Sequence, residues 1–417
     1  MASNSEQREI VIIGGGIIGC SSAYFLTRHP SYDPSKHKIT LLEASKIAGG
    51  ASGKAGGLLA LWAYPSNIVP LSYRLHAELA AAHGGEERWG YRRIHCGQLT
   101  AKGRILEKTK HQNGNPGNGE SVSLGKRHKA ALGKLTAAGI PKDLDWVAAE
   151  SVRSYYEMGT PENTAQVHPY QFTTSMAQLA QEKGAKIVLG FVENIDRTGG
   201  AVKSVTYKDN ETSESHTIPA TDVVISAGPW TKSIYPPVPI SAMRAHSVTI
   251  KSSSPISAYA LFTEISLPPD FGRKDTFMKS KGSHSKEVTP EIYARPGDEA
   301  YACGEGDTLV PLPKTTADVE TDQSRCQDII DYVSSISDEL RDGEVTARQA
   351  CYLPNVQAAS RGPLIGETGV KGLLMAAGHT CWGIQNGPGT GKLISEFVFD
   401  GKAKSANIGS LDPRKVL

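Results

Sequence analysis

The sequence predicts an α/β protein with two domains, one in which parallel strands alternate with helices and one that is mainly antiparallel. Near the start of the chain, an apolar run at 10–13 stops at three glycines, a helical pattern follows, and a second apolar run at 39–42 ends in an acid. Near its end, the apolar run 373–377 also meets a glycine-rich stretch. Short strand-like runs dominate 239–348. The first two observations predict one discontinuous Rossmann-like domain, and the third predicts the antiparallel one.

The first glycine run fits the Gly-x-Gly-x-x-Gly fingerprint of dinucleotide binding. Gly14 permits a sharp turn, Gly16 lets a diphosphate approach the backbone, and Gly19 lets the helix lie close to the sheet. Glu43 would accept hydrogen bonds from the adenosine ribose. An ordinary strand–turn–helix unit is the alternative. The residues predicted to bind the dinucleotide here are Gly14, Gly16, Ile17, Ile18, Gly19, Glu43 and Ala44.

Further stretches are predicted to reach the same ligand. A second small-residue loop at 48–60 is too rich in glycine for a regular element, and such loops occur where backbone touches a ligand closely. A surface turn is the alternative. The buried strand 222–225 also ends in a glycine turn. The residues predicted to contribute are Ser52, Gly53, Lys54, Ala55, Gly56, Gly57, Leu58, Val192, Ala227, Gly228 and Trp230.

The glycine-rich stretch 379–391 near the end of the chain predicts a loop that leads into a helix from Lys392. The start of a helix presents N–H groups without partners, which favour negative charge. The residues predicted to contact the ligand here are Cys381, Trp382, Gly383 and Ile384.

Composition narrows the possible functions. The net charge of +2 gives no broad field for nucleic acid or an anionic membrane. No apolar run is long enough to span a bilayer. The six cysteines are scattered without a CxxC pair, so we expect neither a metal site nor a disulfide framework. We therefore expect a cytoplasmic protein.

The discontinuous pattern predicts a division of the chain. Segments 1–80, 164–236 and 351–417 are expected to form the nucleotide domain, and 81–163 and 237–350 the second domain. A flexible basic insertion is predicted at about 105–133, since that stretch combines lysines with an Asn-Gly-rich core. A helix is predicted for Asp143–Met158.

These motifs together resemble the D-amino-acid oxidase, glycine oxidase and sarcosine oxidase superfamily of FAD enzymes. The sequence is more closely similar to the FAD-dependent oxidoreductase branch of unassigned substrate that occurs in fungi, plants and bacteria. The resemblance covers nearly the whole chain. It rests on the stretches 12–19, 51–57, 166–169, 227–230, 244–247 and 378–384.

The resemblance implies non-covalently bound FAD and a small amine or amino-acid substrate. A C–H beside nitrogen would give hydride to flavin N5, water would hydrolyse the imine, and oxygen or another acceptor would reoxidise the flavin. The start of the helix that follows the glycine-rich stretch would face the flavin and stabilise its reduced form. The residues expected to take part in catalysis are Lys54, Arg244, His246 and His379. Tyr293 and Trp382 are expected to wall the substrate site.

Two departures from the family bear on the substrate and the cofactor. Glycine oxidase-like members bind the substrate carboxylate with an Arg, and Leu353 stands at that position here. Arg244, Arg295 and Arg361 are the candidate replacements. Cys351 lies near the register of the cysteine that carries flavin in sarcosine oxidase-like members. A small buried residue is the favoured interpretation, because free cysteines are commonly buried.

Three hypotheses therefore stay open at this point. The first is an oxidase of amines or amino acids that forms hydrogen peroxide. The second is a dehydrogenase that passes electrons to an acceptor other than oxygen. The third is a flavoprotein that serves mainly as a trafficking or assembly factor, which the missing carboxylate-binding Arg favours.

Overall fold

The computed structural model describes residues 7–106, 138–269, 271, 286–358 and 362–417. Almost all of the predicted basic insertion, and Arg361, lie outside these residues. The strands are β1 Arg8–Ile13, β2 His37–Glu43, β3 Leu58–Ala60, β4 Arg92–Arg93, β5 His95–Lys102, β6 Val152–Gly159, β7 Thr164–Gln166, β8 Lys186–Asp196, β9 Ser204–Asp209, β10 Ser215–Pro219, β11 Asp222–Ile225, β12 Ile240–Lys251, β13 Tyr259–Ser266, β14 Glu287–Val288, β15 Glu291–Arg295, β16 Glu299–Cys303, β17 Glu344–Val356, β18 Leu364–Glu367 and β19 Leu373–Ala377. The α-helices are α1 Ile17–Leu26, α2 Ala51–Lys54, α3 Val69–His83, α4 Gly85–Trp89, α5 Pro169–Gln181, α6 Thr231–Ile234, α7 Gln323–Ser334, α8 Asp338–Arg341 and α9 Gly383–Asp400.

One sheet carries the nucleotide-type topology. Among the described residues its strand order is β10-β9-β8-β2-β1-β11-β19-β18. The central strands from β8 to β19 run parallel, whereas the edge pairs are antiparallel. β1 and β11 read as apolar runs because helices or loops cover both faces of a parallel sheet. The main hydrophobic core lies between this sheet and α1, α3, α5 and α9.

A second sheet is mainly antiparallel, in the order β17-β12-β16-β15-β13-β5-β6 with β14 beside β13. The pairing of β13 with β5 is its parallel step. The helix α7 packs on this sheet and closes a separate apolar core. A small third sheet, β3-β7-β4, is hydrogen-bonded separately, and Leu58 of β3 belongs to one apolar cluster with Tyr293 and Tyr301 of the second sheet. The α/β fold class expected from the sequence, with one Rossmann-like and one mainly antiparallel part, is confirmed.

The predicted helix at Asp143–Met158 is wrong. The first part of this stretch is irregular and buries Leu144 and Trp146 in the second core. The rest is strand β6, which pairs with β5. Because Val152, Tyr155 and Tyr156 are β-branched or aromatic, the local preference for strand and the free edge of β5 outweigh the apparent helical spacing.

The prediction of a loop at 379–391 is also wrong over most of its length, because α9 begins at Gly383. Its glycines lie inside the helix against other helices. A Cβ on Gly387 would come within 2.6 Å of the Ile17 side chain, and a Cβ on Gly391 within 2.5 Å of the backbone of Ser21. A Cβ on Gly389 would meet Ser72 of α3 at 2.2 Å. These glycines therefore allow close helix packing.

The predicted domain boundaries stay a proposal. The strands of the first sheet come from 8–43, 186–225 and 364–377, and those of the second from 95–102, 152–159, 240–303 and 344–356. The proposed boundary at 350/351 lies inside β17.

Candidate FAD site

A cavity of about 530 Å³ lies at the carboxyl ends of the parallel strands of the first sheet. It is lined by the residues that follow β1, β2, β11 and β19 and by one side of β8. Crevices at the carboxyl ends of such strands are where doubly wound sheets bind ligands. The cavity size lies within the range of small-molecule and cofactor sites.

The fingerprint loop forms one wall of this cavity. Gly14 has a φ of +109°, in which a side chain would be strained, and a Cβ there would come within 2.5 Å of the Ser226 carbonyl oxygen. A Cβ on Gly19 would lie 2.0 Å from the Gly14 carbonyl oxygen, so Gly19 serves packing and does not line the cavity. Gly16, Ile17 and Gly14 line it.

The start of α1 faces the cavity as a donor site. Gly16 supplies no side-chain cap to the helix. The Ile17 N–H donates to Ser52 Oγ at 2.9 Å, and Ser52 also lines the cavity. A diphosphate placed here would meet backbone N–H groups, the Ser52 hydroxyl and the positive end of the helix dipole.

Glu43 is fixed at the end of β2 by two backbone donors. Its carboxylate accepts hydrogen bonds from Gly15 N–H and Ser45 N–H, each at 2.8 Å. The residue is 9% exposed and lines the cavity with Ala44 and Ile18. The rigid carboxylate suits a role as acceptor for ribose hydroxyls, which stays a prediction.

The rest of the second glycine loop lies behind the cavity wall. A Cβ on Gly53 would come within 2.1 Å of the Ala48 carbonyl oxygen, and one on Gly57 within 2.0 Å of the Val167 carbonyl oxygen. These glycines therefore allow close contacts between parts of the protein. The predicted site residues of this loop that do not line the cavity are Gly53, Lys54, Ala55, Gly56, Gly57 and Leu58.

Lys54 joins this loop to the second sheet. Its Nζ donates to the Ala350 carbonyl oxygen at 2.7 Å. Burial lowers the pKa of the Lys54 ammonium, and the neighbouring Cys351 opposes that effect. Cys351 is a free, buried thiol whose pKa burial raises to about 11, so its thiolate is scarce at neutral pH.

The start of α9 forms a further part of the cavity wall, and a Cβ on Gly383 would lie 4.0 Å from the Ile17 side chain at the start of α1. Gly383, Thr380 and His379 line the cavity, and the start of α9 has no side-chain cap. His379 Nε2 lies 3.0 Å from Thr390 Oγ1. Burial lowers the pKa of His379 to about 3, so the imidazole is neutral at physiological pH.

The other predicted residues near 381 point elsewhere. Cys381 is exposed, with its Sγ 3.8 Å from the Tyr64 hydroxyl. Trp382 packs edge-on against Trp62 and Tyr64. Ile384 is buried, and its carbonyl oxygen lies 3.0 Å from His76 Nε2.

The remaining wall comes from β8, from the turn after β11, and from a segment between β16 and α7. Val192, Ala227, Gly228 and Trp230 line the cavity as expected from the sequence. The segment 312–316 also lines it, and Trp230 Nε1 donates to the Pro313 carbonyl oxygen at 2.7 Å. Sequence reasoning missed this segment, because its prolines indicate only a loop.

Arg244 and His246 lie away from the cavity wall. Arg244 forms a buried ion pair with Asp307, at 3.3 Å between Nη2 and Oδ1. His246 Nε2 accepts the Asp322 N–H at 3.1 Å. Burial, helped by Arg244, lowers the pKa of His246. Their catalytic roles stay predictions without support from position.

The candidate carboxylate-binding arginines that the structure describes are already paired. Arg295 donates to the Ala55 carbonyl oxygen at 2.6 Å and to Glu299 at 2.9 Å. Arg244 is held by Asp307. Leu353 lies in β17 opposite Met243. The structure thus shows no described arginine of this set free to grip a substrate carboxylate.

Comparison with known proteins identifies the class. Residues 9–397 match the DAO family model, described as FAD dependent oxidoreductase. The chain therefore belongs to this family of FAD-dependent oxidoreductases, and FAD is its cofactor. The site fits a dinucleotide with an anionic diphosphate. It offers two helix starts, the carboxylate of Glu43, and a bare backbone at Gly16 that a ligand can approach closely.

Two fungal relatives extend over the whole chain. A Saccharomyces cerevisiae protein provisionally named an oxidoreductase, TDA3, is 37% identical, covering 99% of this chain and 96% of its own. A Schizosaccharomyces pombe protein with a similar provisional name, C1F5.03c, is 35% identical, covering 98% of each chain.

Solved structures share the fold at low identity. Glycine oxidase from Bacillus cereus has a TM-score of 0.67 and 19% identity, covering 99% of this chain and 100% of that one. L-proline dehydrogenase from P. horikoshii has a TM-score of 0.66 and 16% identity, covering 98% of each. Among the described residues, no helix combines the length and apolarity needed to cross a bilayer.

Proposed function

We propose that this FAD-dependent oxidoreductase oxidises a small amine or amino acid at the C–H next to nitrogen. The observation that carries the proposal is the cavity that joins the fingerprint loop to the uncapped start of α9. The names of the structural neighbours support the substrate class, since they include glycine oxidase and L-proline dehydrogenase.

Different residues are proposed to hold the two halves of FAD. The start of α1, Ser52 and Glu43 hold the ADP half, and the start of α9 faces the flavin half. Bound FAD supplies the hydride acceptor for the substrate carbon and, when oxygen reoxidises it, produces hydrogen peroxide. The N–H groups of α9 favour negative charge at their end of the cavity. Neutral His379 holds a proton on one ring nitrogen beside Thr390.

The choice of electron acceptor is part of the proposal. We assign Lys54 the role of a cation that favours reduction of oxygen, supported by its place at the end of α2, two residues after Ser52 in the cavity wall. A dehydrogenase that uses another acceptor is the alternative. We also propose a cytoplasmic location, supported by six free cysteines, which suit a reducing compartment.

The test is reduction of the flavin in the purified holoprotein by a panel of amines and amino acids without oxygen. The proposal expects at least one compound to bleach the flavin and to yield the matching carbonyl product. Admitting oxygen should restore the oxidised spectrum with one peroxide for each substrate. Restoration only by an added dye would favour the dehydrogenase.

Because the described candidate arginines are paired, a second candidate function is considered. It is that of a flavoprotein that acts mainly in trafficking or assembly. It predicts bound FAD that no member of the panel reduces. That result would contradict the proposed oxidation.

A further inference from the structure

We infer that the substrate is an organic cation without a carboxylate, whose ammonium group is bound by Glu291 inside an aromatic enclosure. The enclosure is formed by Trp62, Phe262, Tyr293 and Trp382. The inference rests on the proposed function and names its substrate class.

Glu291 lies on one face of the second sheet among neutral side chains. In the strand register Glu291 is opposite Phe262 of β13 and opposite Cys303 of β16. Tyr293, two residues further along β15, shares this face because side chains alternate along a strand. The three strands thus place a carboxyl group within an aromatic and thiol surface.

The carboxyl group of Glu291 has only neutral partners in the described part of the chain. One of its oxygens, Oε2, accepts the Tyr293 hydroxyl and lies 3.9 Å from Cys303 Sγ. No ion pair involves Glu291 among the described residues, whereas the nearby Glu299 pairs with Arg295. Burial raises the pKa of the Glu291 carboxyl group, and no cation in the described part of the chain offsets this effect. A bound ammonium group beside it would stabilise the ionised form.

Aromatic rings continue from Glu291 to the surface. Tyr293 and Phe262 have centroids 6.3 Å apart, Phe262 and Trp62 6.2 Å, and Trp62 and Trp382 5.8 Å. Trp62 is 37% exposed, so this group of rings reaches the protein surface there. Ring faces attract ammonium groups, and the attraction increases when water is excluded.

This enclosure adjoins the predicted flavin end of the cavity. Trp382 stands between Thr380 and Gly383, which both line the cavity. On the other side, the Tyr293 ring packs on Gly56, which lies four residues after Ser52 of the cavity wall. A molecule in the enclosure would therefore lie beside the cofactor site.

The charge of this site is opposite to that of a carboxylate-binding clamp. Leu353 stands where the resemblance implies an arginine, and the candidate replacements that the structure describes, Arg244 and Arg295, are paired elsewhere. A carboxylate brought next to Glu291 would meet like charge and would be rejected. The same residues would attract an amine whose remaining groups are apolar.

The test uses two probes of similar size that cannot be oxidised as amines. Phenethyltrimethylammonium and 3-phenylpropanoate are titrated into the oxidised holoprotein, followed by tryptophan fluorescence and the flavin spectrum. We expect saturable binding of the ammonium probe and at least roughly 10-fold weaker binding of the carboxylate, as expected for a charge-assisted contact and cation–π attraction.

Variants locate the binding. Glu291→Gln keeps the side-chain shape and should raise the Kd of the ammonium probe by roughly 10-fold or more. Trp62→Ala, at the exposed end of the group of rings, should also raise the Kd of the ammonium probe without altering the FAD content. Glu287→Gln, an exposed glutamate on the adjacent β14, is the matched control and should leave binding unchanged.

The outcomes separate this inference from the proposed function. Equal binding of both probes, absent binding of the ammonium probe, or an unchanged Glu291→Gln variant would overturn the inference even if amino acids reduce the flavin. Selective binding of the ammonium probe lost in Glu291→Gln supports the site. Failure of every amine to reduce the flavin would then contradict the oxidation alone.

Discussion

The two glycine-rich segments at the ends of the chain look alike in the sequence but differ in what their missing side chains allow. In the fingerprint, Gly14 makes a turn at positive φ, and Gly16 leaves space at the cavity wall. In α9, Gly387 and Gly391 leave space for the neighbouring helix α1. Glycine density thus indicates close approach, but the structure decides whether a ligand or another helix approaches.

The largest expected effect concerns packing. Gly391→Ala places a Cβ 2.5 Å from the Ser21 backbone, which cannot move as a side chain can. We expect the free energy of unfolding of the apoprotein to fall by about 3 kcal/mol or more. Urea unfolding measures this. Gly383→Ala in the same helix is the control, since its Cβ meets nothing closer than 3.8 Å. Equal stability of the two variants would contradict the packing role.

The next effect concerns the cofactor. Gly16→Ala adds a methyl group at the cavity wall, 3.0 Å from Ser52 Oγ, where a diphosphate is expected. We expect the Kd for FAD to rise by roughly 10- to 100-fold. The added methyl group forces the ligand to shift, and after this shift the remaining clash costs about 1 to 3 kcal/mol of binding free energy. Titration of apoprotein with FAD, followed by flavin fluorescence, measures it. An unchanged Kd would remove Gly16 from the site.

A smaller effect concerns the loss of folding stability at acid pH. His379 has an ordinary pKa of 6.5, lowered by burial to about 3 in the folded protein. Below pH 6.5 the unfolded chain binds a proton that the folded one does not, so stability is lost as pH falls towards 3. The contribution of His379 to the free energy of unfolding falls by about 2 kcal/mol between pH 7 and pH 5.

Urea unfolding of wild type and His379→Gln at both pH values checks this. The variant should lose less stability on acidification than wild type. His76, whose pKa burial lowers to about 4, is retained in both proteins and supplies a common background. Identical losses would show that His379 is not buried as described.

The smallest expected effect is at the start of α1. Ser52→Ala removes the hydroxyl that accepts the Ile17 N–H. We expect apoprotein stability to fall by about 1 kcal/mol, as for loss of a helix cap. Ser31→Ala, at an exposed serine beyond the other end of α1, is the control. A loss well above that of a cap would show that Ser52 does more than hold the helix.

Local patterns predicted the nucleotide part of the fold well, because turn, strand and helix there are encoded within about forty consecutive residues. The stretch 143–158 was misread, because pairing with β5 decides its structure. The glycines of α9 were misread because their reason lies in α1 and α3. The segment 312–316 was not identified, since its place at the cavity depends on a contact with the distant Trp230. Glu291 was not identified, since only the register of β13 and β16 shows its neighbours.

One measurement compares the two segments directly, namely the melting temperature of apoprotein with and without saturating FAD for wild type, Gly16→Ala and Gly391→Ala. FAD should raise the wild-type value by mass action. We expect Gly16→Ala to keep the apoprotein value and lose most of the FAD-induced rise. We expect Gly391→Ala to melt lower and keep the rise. The reverse pattern, or a full rise in Gly16→Ala, would contradict the assignment of cofactor binding to the first segment and packing to the second.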